Sequence, residues 1–147
     1  MARVEKSVLI ERSARQMFDL VDKVEDYPAF LPWCAGTSVA FRDASKTVAT
    51  LHIGYLGIKS HFTTENEKVI PQSMNIRLVD GPFRSLEGEW IFKPLTEHAC
   101  KIEFRLAYEF SSRMFEKVIG PVFSQITNTF VEAFVKRANE VYGASDV

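Results

Sequence analysis

Cysteine and net charge are both scarce in this chain of 147 residues. Its two cysteines, Cys34 and Cys100, fit neither a disulfide-rich scaffold nor a metal motif built on closely spaced cysteines. We therefore expect two buried thiols in a reducing, cytoplasmic setting. The formal net charge of −1 provides no overall field for nucleic acid or an anionic membrane, so only a local patch could bind such a partner, and we expect no binding to DNA.

Long apolar runs and common catalytic motifs are also absent from the sequence. No stretch approaches the roughly 20 apolar residues that span a bilayer, and the N-terminus lacks the apolar core of a signal peptide. There is no glycine-rich phosphate loop, no His-Glu-x-x-His and no Gly-x-Ser-x-Gly. We therefore predict a non-enzymatic protein with no metal site and no required cofactor.

Aromatic residues, by contrast, are plentiful, with twelve phenylalanines, four tyrosines and two tryptophans. Several of them lie in the segment Glu25 to Cys34, which places four large apolar side chains around Pro28 and Pro32. Each proline removes a backbone donor and disfavours helix in the residue before it, so at most one helical turn fits between them. We interpret this segment as a stiff turn that forms the wall or lid of an apolar cavity.

The rest of the chain shows two kinds of periodicity. Residues 3–12 suggest a first strand, and Ser13 with Gln16 matches a capping box that begins a short amphipathic helix. From residue 36 to 110 apolar and polar residues alternate as in about six antiparallel strands, with Gly54 and Gly57 suggesting a bulge or bend. Residues 113–142 return to helical spacing, and Gly120-Pro121 predicts a kink or a helix in two parts.

These elements predict an α+β domain that covers residues 1–147. About seven antiparallel strands form a curved sheet wrapped around the long C-terminal helix, with two short helices after the first strand. One face of such a sheet must be covered, and only the C-terminal helix is long and apolar enough to cover it.

Four segments carry a resemblance to a known family. They are Ser13 to Val21, Tyr27 to Cys34 (Tyr-Pro-Ala-Phe-Leu-Pro-Trp-Cys), Leu78 to Phe83 (Leu-Val-Asp-Gly-Pro-Phe) and Phe134 to Gly143. Together they resemble the coenzyme Q-binding and polyketide cyclase-like branch of the START-like superfamily, which has a helix-grip fold. The resemblance implies a ligand-binding fold. Mitochondrial members of this branch bind ubiquinone, bacterial members are described as toxins that block the association of ribosomal subunits, and some relatives are cyclases.

The candidate cavity residues come from the proline-bracketed turn, the inward strand faces and the helical stripe. Tyr55 and Tyr108 would offer hydroxyls to the carbonyl of a quinone. Close packing of a core would explain any one of these residues, but the group as a whole suits a small-molecule site. The set is Tyr27, Phe30, Leu31, Trp33, Tyr55, Phe62, Trp90, Phe104, Tyr108, Phe115, Ile119, Val122, Phe123, Ile126 and Phe130.

A second set of residues suggests a partner surface. Phe83 lies at a predicted loop tip, where it either folds back as a plug or touches a membrane or partner. Arg84 follows it, and Arg113, Lys117, Lys136 and Arg137 give the C-terminal helix a basic edge that could meet ribosomal RNA.

The histidines are the remaining candidates for chemistry. His52 and His61 lie on consecutive strands and face away from the predicted interior, so we interpret them as surface residues, with acid–base catalysis as the alternative. His98 sits beside a turn and is expected to be exposed.

Three functions follow, in this order. The first is non-enzymatic binding of a hydrophobic small molecule, ubiquinone or another isoprenoid or lipid. The alternative is a toxin that binds a ribosomal subunit and blocks subunit association. The third is a cyclase-like enzyme.

Overall fold

Seven antiparallel strands form one sheet in the order β1-β7-β6-β5-β4-β3-β2 in the computed structural model, which describes residues 1–143. The strands are β1 Ala2–Ile10, β2 Cys34–Arg42, β3 Lys46–Tyr55, β4 Ile58–Val69, β5 Ser73–Asp80, β6 Phe83–Thr96 and β7 Ala99–Phe110. The helices are α1 Ala14–Asp22, α2 Tyr27–Phe30 after a 3₁₀ turn at Val24–Asp26, and α3 Arg113–Val141. This order and topology confirm the predicted fold; residues 144–147 of the predicted domain lie outside the described residues.

The sheet has one covered face, as the alternating sequence predicts. In β7 the even-numbered residues from Cys100 to Phe110 are all buried, while Arg105 between them is exposed. The buried side chains pack against α3, whose Ile126 and Phe134 are almost fully enclosed. Strand β1 pairs with β7 and not with β2. Strands β1 and β2 therefore form the two free edges of the sheet.

Helix α1 begins at the predicted capping box. The Ser13 hydroxyl accepts from the backbone N–H of Gln16, and the Gln16 side chain accepts from the backbone N–H of Ser13, at 3.0 and 2.9 Å. At its other end, Asp22 accepts from the enclosed Lys68 ammonium of β4 at 3.2 Å and from the Thr47 hydroxyl of β3 at 3.4 Å. The capping box thus defines the start of α1, and the Asp22 contacts hold its end against the sheet.

Two local predictions require correction. The pairing of β3 with β4 runs without a register shift from Lys46↔Glu67 to Tyr55↔Ile58, so no bulge lies at Gly54 or Gly57. Instead Leu56 and Gly57 form a tight hairpin turn with φ of 51° and 81°. Helix α3 is continuous through Pro121, so the prediction of a helix in two parts is wrong.

Candidate functional site

An apolar cavity lies between the inner face of the sheet and α3. About 70 Å³ is open to the centres of water molecules, which is room for roughly five waters at about 10–15 Å³ each. The lining side chains come from β3 to β7, from α1 and α3, and from the segment after α1. They are Val21, Val24, Tyr27, Trp33, Ala49, Leu51, Phe62, Thr64, Asn66, Met74, Ile76, Leu86, Trp90, Phe104, Leu106, Phe123, Ile126, Thr127 and Phe130.

Few polar groups reach this cavity. The Thr64 hydroxyl donates to the Asn66 amide oxygen at 3.0 Å, and the Thr127 hydroxyl donates to the Ser124 carbonyl of its own helix at 3.1 Å. The Tyr27 hydroxyl also donates to the Val21 carbonyl. With these three hydroxyls engaged within the protein and no charged side chain in the lining, the cavity favours an apolar molecule over a charged one.

The proline-bracketed segment closes one side of the cavity. Tyr27 is buried and lies edge-on to Phe130 and Phe134 of α3, at ring-centre distances of 6.4 and 5.3 Å. Burial raises the pKa of Tyr27 far above its usual value, so the hydroxyl remains a neutral donor. Trp33, also buried, lies 6.2 Å from Phe130. These ring contacts fix the segment against α3.

Eight of the predicted cavity residues are among the lining residues: Tyr27, Trp33, Phe62, Trp90, Phe104, Phe123, Ile126 and Phe130. Seven others lie elsewhere. Leu31, Tyr108, Ile119 and Val122 are buried in the core outside the lining, and Phe30 is half-buried on the outer side of α2, in a surface groove beside α3.

The other two, Tyr55 and Phe115, lie away from the lining for different reasons. Tyr55 ends β3 beside the hairpin turn, where its hydroxyl accepts from the Gln125 amide at 3.3 Å. Phe115 is 40% exposed, because α3 extends beyond the sheet before its first buried residue, Ile119. Tyr108 also lies outside the lining; burial raises its pKa, and a hydrogen bond with Thr127 acts against that rise.

Several lining residues were missed by reasoning from the sequence. Ala49, Leu51, Thr64, Met74, Ile76, Leu86 and Leu106 all lie at inward positions of the strands. The period-two alternation identified most of these positions as inward-facing. The prediction then favoured aromatic side chains, although small and aliphatic ones leave the space that makes a cavity.

The predicted partner surface is also rearranged. Phe83 is buried and stacks on Phe110 at 4.9 Å, so it folds inward and cannot contact a partner. The Arg137 guanidinium lies over the Phe30 ring at 5.2 Å. Arg84 is exposed but lies 3.9 Å from the Glu109 carboxylate. Arg113, Lys117 and Lys136 are exposed.

The remaining candidates lie away from the cavity or are enclosed. His52 and His61 are exposed on the outer face of the sheet, as predicted, with ring centres 5.8 Å apart, and His98 is exposed beside the β6–β7 turn. Cys34 and Cys100 are buried free thiols, and burial raises the pKa of both. Within residues 1–143 no three His, Cys, Asp or Glu residues cluster as metal ligands. None of the helices in this range is long and apolar enough to cross a membrane.

The sheet, its covering helix and the apolar cavity between them define a START-like protein with a helix-grip fold. The aromatase/cyclase Zhui from Streptomyces sp. R1128 superposes with a TM-score of 0.81 over 98% of this chain and 97% of its own, at 15% identity. A START superfamily protein from Mycobacterium smegmatis superposes with a TM-score of 0.74 over 95% of this chain and 98% of its own, at 20% identity. At these identities the likeness establishes the fold alone.

Sequence comparison defines the family. The profile of the polyketide cyclase / dehydrase and lipid transport family matches residues 10–135, and the chain belongs to that family. The ribosome association toxin RatA of Vibrio cholerae is 46% identical over 97% of this chain and 99% of its own length. The mitochondrial coenzyme Q-binding protein COQ10 homolog B of Xenopus laevis is 27% identical over 97% of this chain and 60% of its own length.

Proposed function

We propose that this protein binds a ribosomal subunit and interferes with subunit association. The observation that carries the proposal is the 46% identity, over nearly the whole of both chains, to a relative named a ribosome association toxin. Identity of this extent covers surface positions as well as the core, whereas the likeness to the cyclases is confined to the fold. The greater extent of the first likeness ranks the ribosomal function above the small-molecule function that the sequence alone favoured.

The exposed cations of α3 are the best candidates for the contact with RNA. Arg113 and Lys117 lie one helical turn apart in the exposed start of α3, and Lys136 is exposed near the other end of the same helix. Arg84 and Arg137 are weaker candidates, because each lies within 4 Å of a carboxylate of the protein itself. Phosphate contacts of this kind weaken as salt concentration rises.

Sedimentation with isolated ribosomal subunits tests the proposal. We expect the protein to cosediment with one subunit at low salt and to reduce the yield of joined subunits. The double variant Arg113→Gln, Lys117→Gln should bind at least tenfold more weakly, whereas the control Lys6→Gln on exposed β1 should not change binding. Absence of cosedimentation with either subunit at low salt would overturn the proposal.

A second candidate function is the binding of a hydrophobic small molecule, such as a quinone, another isoprenoid or a lipid. The specific observation in its favour is the cavity, with its aromatic and aliphatic lining and its hydrogen-bonded hydroxyls. Small-molecule sites commonly have about 300–1,000 Å³, so a ligand larger than a few waters requires side chains to move. Leu51 and Ile76 are partly buried lining residues without aromatic ring partners, so they are the first candidates to move.

Extraction of the purified protein with organic solvent, followed by mass spectrometry, tests this second function. We expect a stoichiometric apolar compound, or saturable uptake of added ubiquinone with a short isoprenoid tail. The absence of both a co-purified compound and uptake of the added quinone would exclude this function. The result is independent of sedimentation, so each function can fail without the other.

A further inference from the structure

His52 and His61 form a pair that neither the cavity nor the proposed partner surface uses. They lie directly opposite each other where β3 pairs with β4, and their ring planes are inclined by 40°. Both side chains are exposed on the outer face of the sheet. Within the described residues 1–143, neither imidazole has a hydrogen-bond or ion-pair partner, so the ring nitrogens are available to a ligand from solvent.

The spacing of the rings suits a shared metal ion. Zn–N bonds of about 2.0–2.1 Å place the metal about 3.2 Å from each ring centre, so two imidazoles at a tetrahedral angle have centres about 5.2 Å apart. The observed separation is 5.8 Å. The difference of a few tenths of an ångström is within reach of small χ rotations, because both side chains are exposed.

The neighbouring positions leave room for an ion. Gly36 of β2 lies opposite His52 on the other side, and a Cβ built at Gly36 would meet nothing within 4 Å. Lys59 lies two residues before His61 on the same strand, opposite Gly54, so its ammonium is the nearest charge expected to oppose a cation. Since no third His, Cys, Asp or Glu within residues 1–143 joins the pair, water would complete the coordination.

We propose that His52 and His61 form a two-histidine site for a divalent transition-metal ion, of the class of Zn²⁺, Ni²⁺ and Cu²⁺ that imidazole ligands favour. The sequence predicts no metal site there: His52 and His61 are nine positions apart on consecutive strands, and the register of β3 with β4 sets them directly opposite each other. The site is independent of both proposed functions. It attaches a metal ion to the outer face of the β3–β4 hairpin.

Calorimetric titration of the whole protein with Zn²⁺ tests the site. We expect one-to-one binding that weakens at least tenfold in His52→Ala and equally in His61→Ala, because each substitution leaves a single imidazole. The matched control is His98→Ala, which removes the other exposed histidine and should leave affinity unchanged. Thermal unfolding without metal checks that the variants remain folded.

Lys59 supplies a second, opposite test. Lys59→Gln removes a nearby positive charge and should tighten Zn²⁺ binding about two- to fivefold. Equal affinity in the wild type, His52→Ala and His61→Ala would overturn the proposal. So would a loss in His98→Ala as large as that in either variant of the pair.

Discussion

Glu25 and Arg42 form an ion pair that joins the turn after α1 to the end of β2. Arg42 donates from both terminal nitrogens to the two carboxylate oxygens of Glu25, and one of them also donates to the Asp22 carbonyl at 3.0 Å. Hydrogen bonding from Arg42 is the largest cause that lowers the pKa of Glu25, from 4.5 to about 2. Both side chains remain partly exposed, so solvent screening keeps the contribution small.

The lowered pKa of Glu25 predicts a pH-dependent contribution to stability. Because the pKa is lower in the folded state, the contribution is full above about pH 4.5 and is lost as pH falls towards 2. We expect Glu25→Gln to reduce the free energy of unfolding by roughly 0.2–1 kcal/mol at pH 7 and by less than half of that at pH 3. Urea unfolding at the two pH values measures this. Glu11→Gln, at an exposed position, is the control, and an equal effect of Glu25→Gln at both pH values would contradict the assignment.

Phe83 and Phe115 predict opposite outcomes for the same substitution. Phe83 is 6% exposed and packs against four aromatic rings, whereas Phe115 is 40% exposed at the start of α3. We expect Phe83→Ala to lower the free energy of unfolding by about 3–5 kcal/mol, and Phe115→Ala to change it by less than about 0.5 kcal/mol. Urea unfolding of both variants checks the prediction, and similar losses in the two would contradict it.

These two residues show how far single side chains could be predicted from the sequence. The helical stripe placed Phe115 on the inward face of α3, but periodicity gives a direction and not the point where the sheet begins to cover the helix. Phe83 follows a Gly-Pro turn, which left two outcomes open, a plug folded inward or an exposed tip. The bulge between Phe83 and Ser85 changes the alternation there, and that depends on pairing with β7.

At the scale of elements, the strands around Gly88 of β6 pack too closely to leave room for a side chain. A Cβ built at Gly88 would lie 2.8 Å from the Arg105 carbonyl oxygen and 2.8 Å from a Leu106 methyl group on β7. The carbonyl is part of the sheet backbone and cannot move aside cheaply. The absence of a side chain therefore allows β5, β6 and β7 to pack closely at this point.

This packing predicts that Gly88→Ala is destabilising although alanine has the higher strand propensity. We expect a loss of about 1–3 kcal/mol from overpacking. Gly36→Ala in β2 is the matched control, since its Cβ would meet nothing within 4 Å, and it should be close to neutral. Thermal and urea unfolding of the two variants provide the comparison; a neutral Gly88→Ala would show that the strands separate easily here.

The elements themselves were largely predictable from the sequence. Alternation identified the strands because each buries one face, and the Ser13–Gln16 capping box located the start of α1. The prediction of a bulge at Gly54 was wrong. When the register is unknown, a glycine two residues before a tight turn gives the same sequence signal as a bulge. The sequence placed His52 and His61 on consecutive strands, but their direct pairing and the space inside the cavity depend on the register of the strands, which alternation does not give.

At the scale of the whole molecule, the cavity and the exposed cations at the start of α3 lie along different parts of the same helix. Ile126 and Phe130 face the cavity, while Arg113 and Lys117 lie in the exposed start of the helix. A substitution deep in the cavity can therefore change ligand uptake without altering the charges offered to RNA. This separation makes the two proposed functions experimentally independent.

Ala49→Leu tests that independence. Ala49 is 3% exposed on β3 and lines the cavity, so three added carbons would fill much of its volume and should weaken quinone uptake at least tenfold. Overpacking should cost no more than about 1–3 kcal/mol, and a thermal unfolding curve confirms that the variant is folded. Ala40→Leu, at an exposed position of β2, is the matched control.

We expect cosedimentation with the ribosomal subunit to remain within twofold of the wild type in both variants. A parallel loss of uptake and cosedimentation in Ala49→Leu, with Ala40→Leu unaffected, would mean instead that occupancy of the cavity controls binding of the subunit.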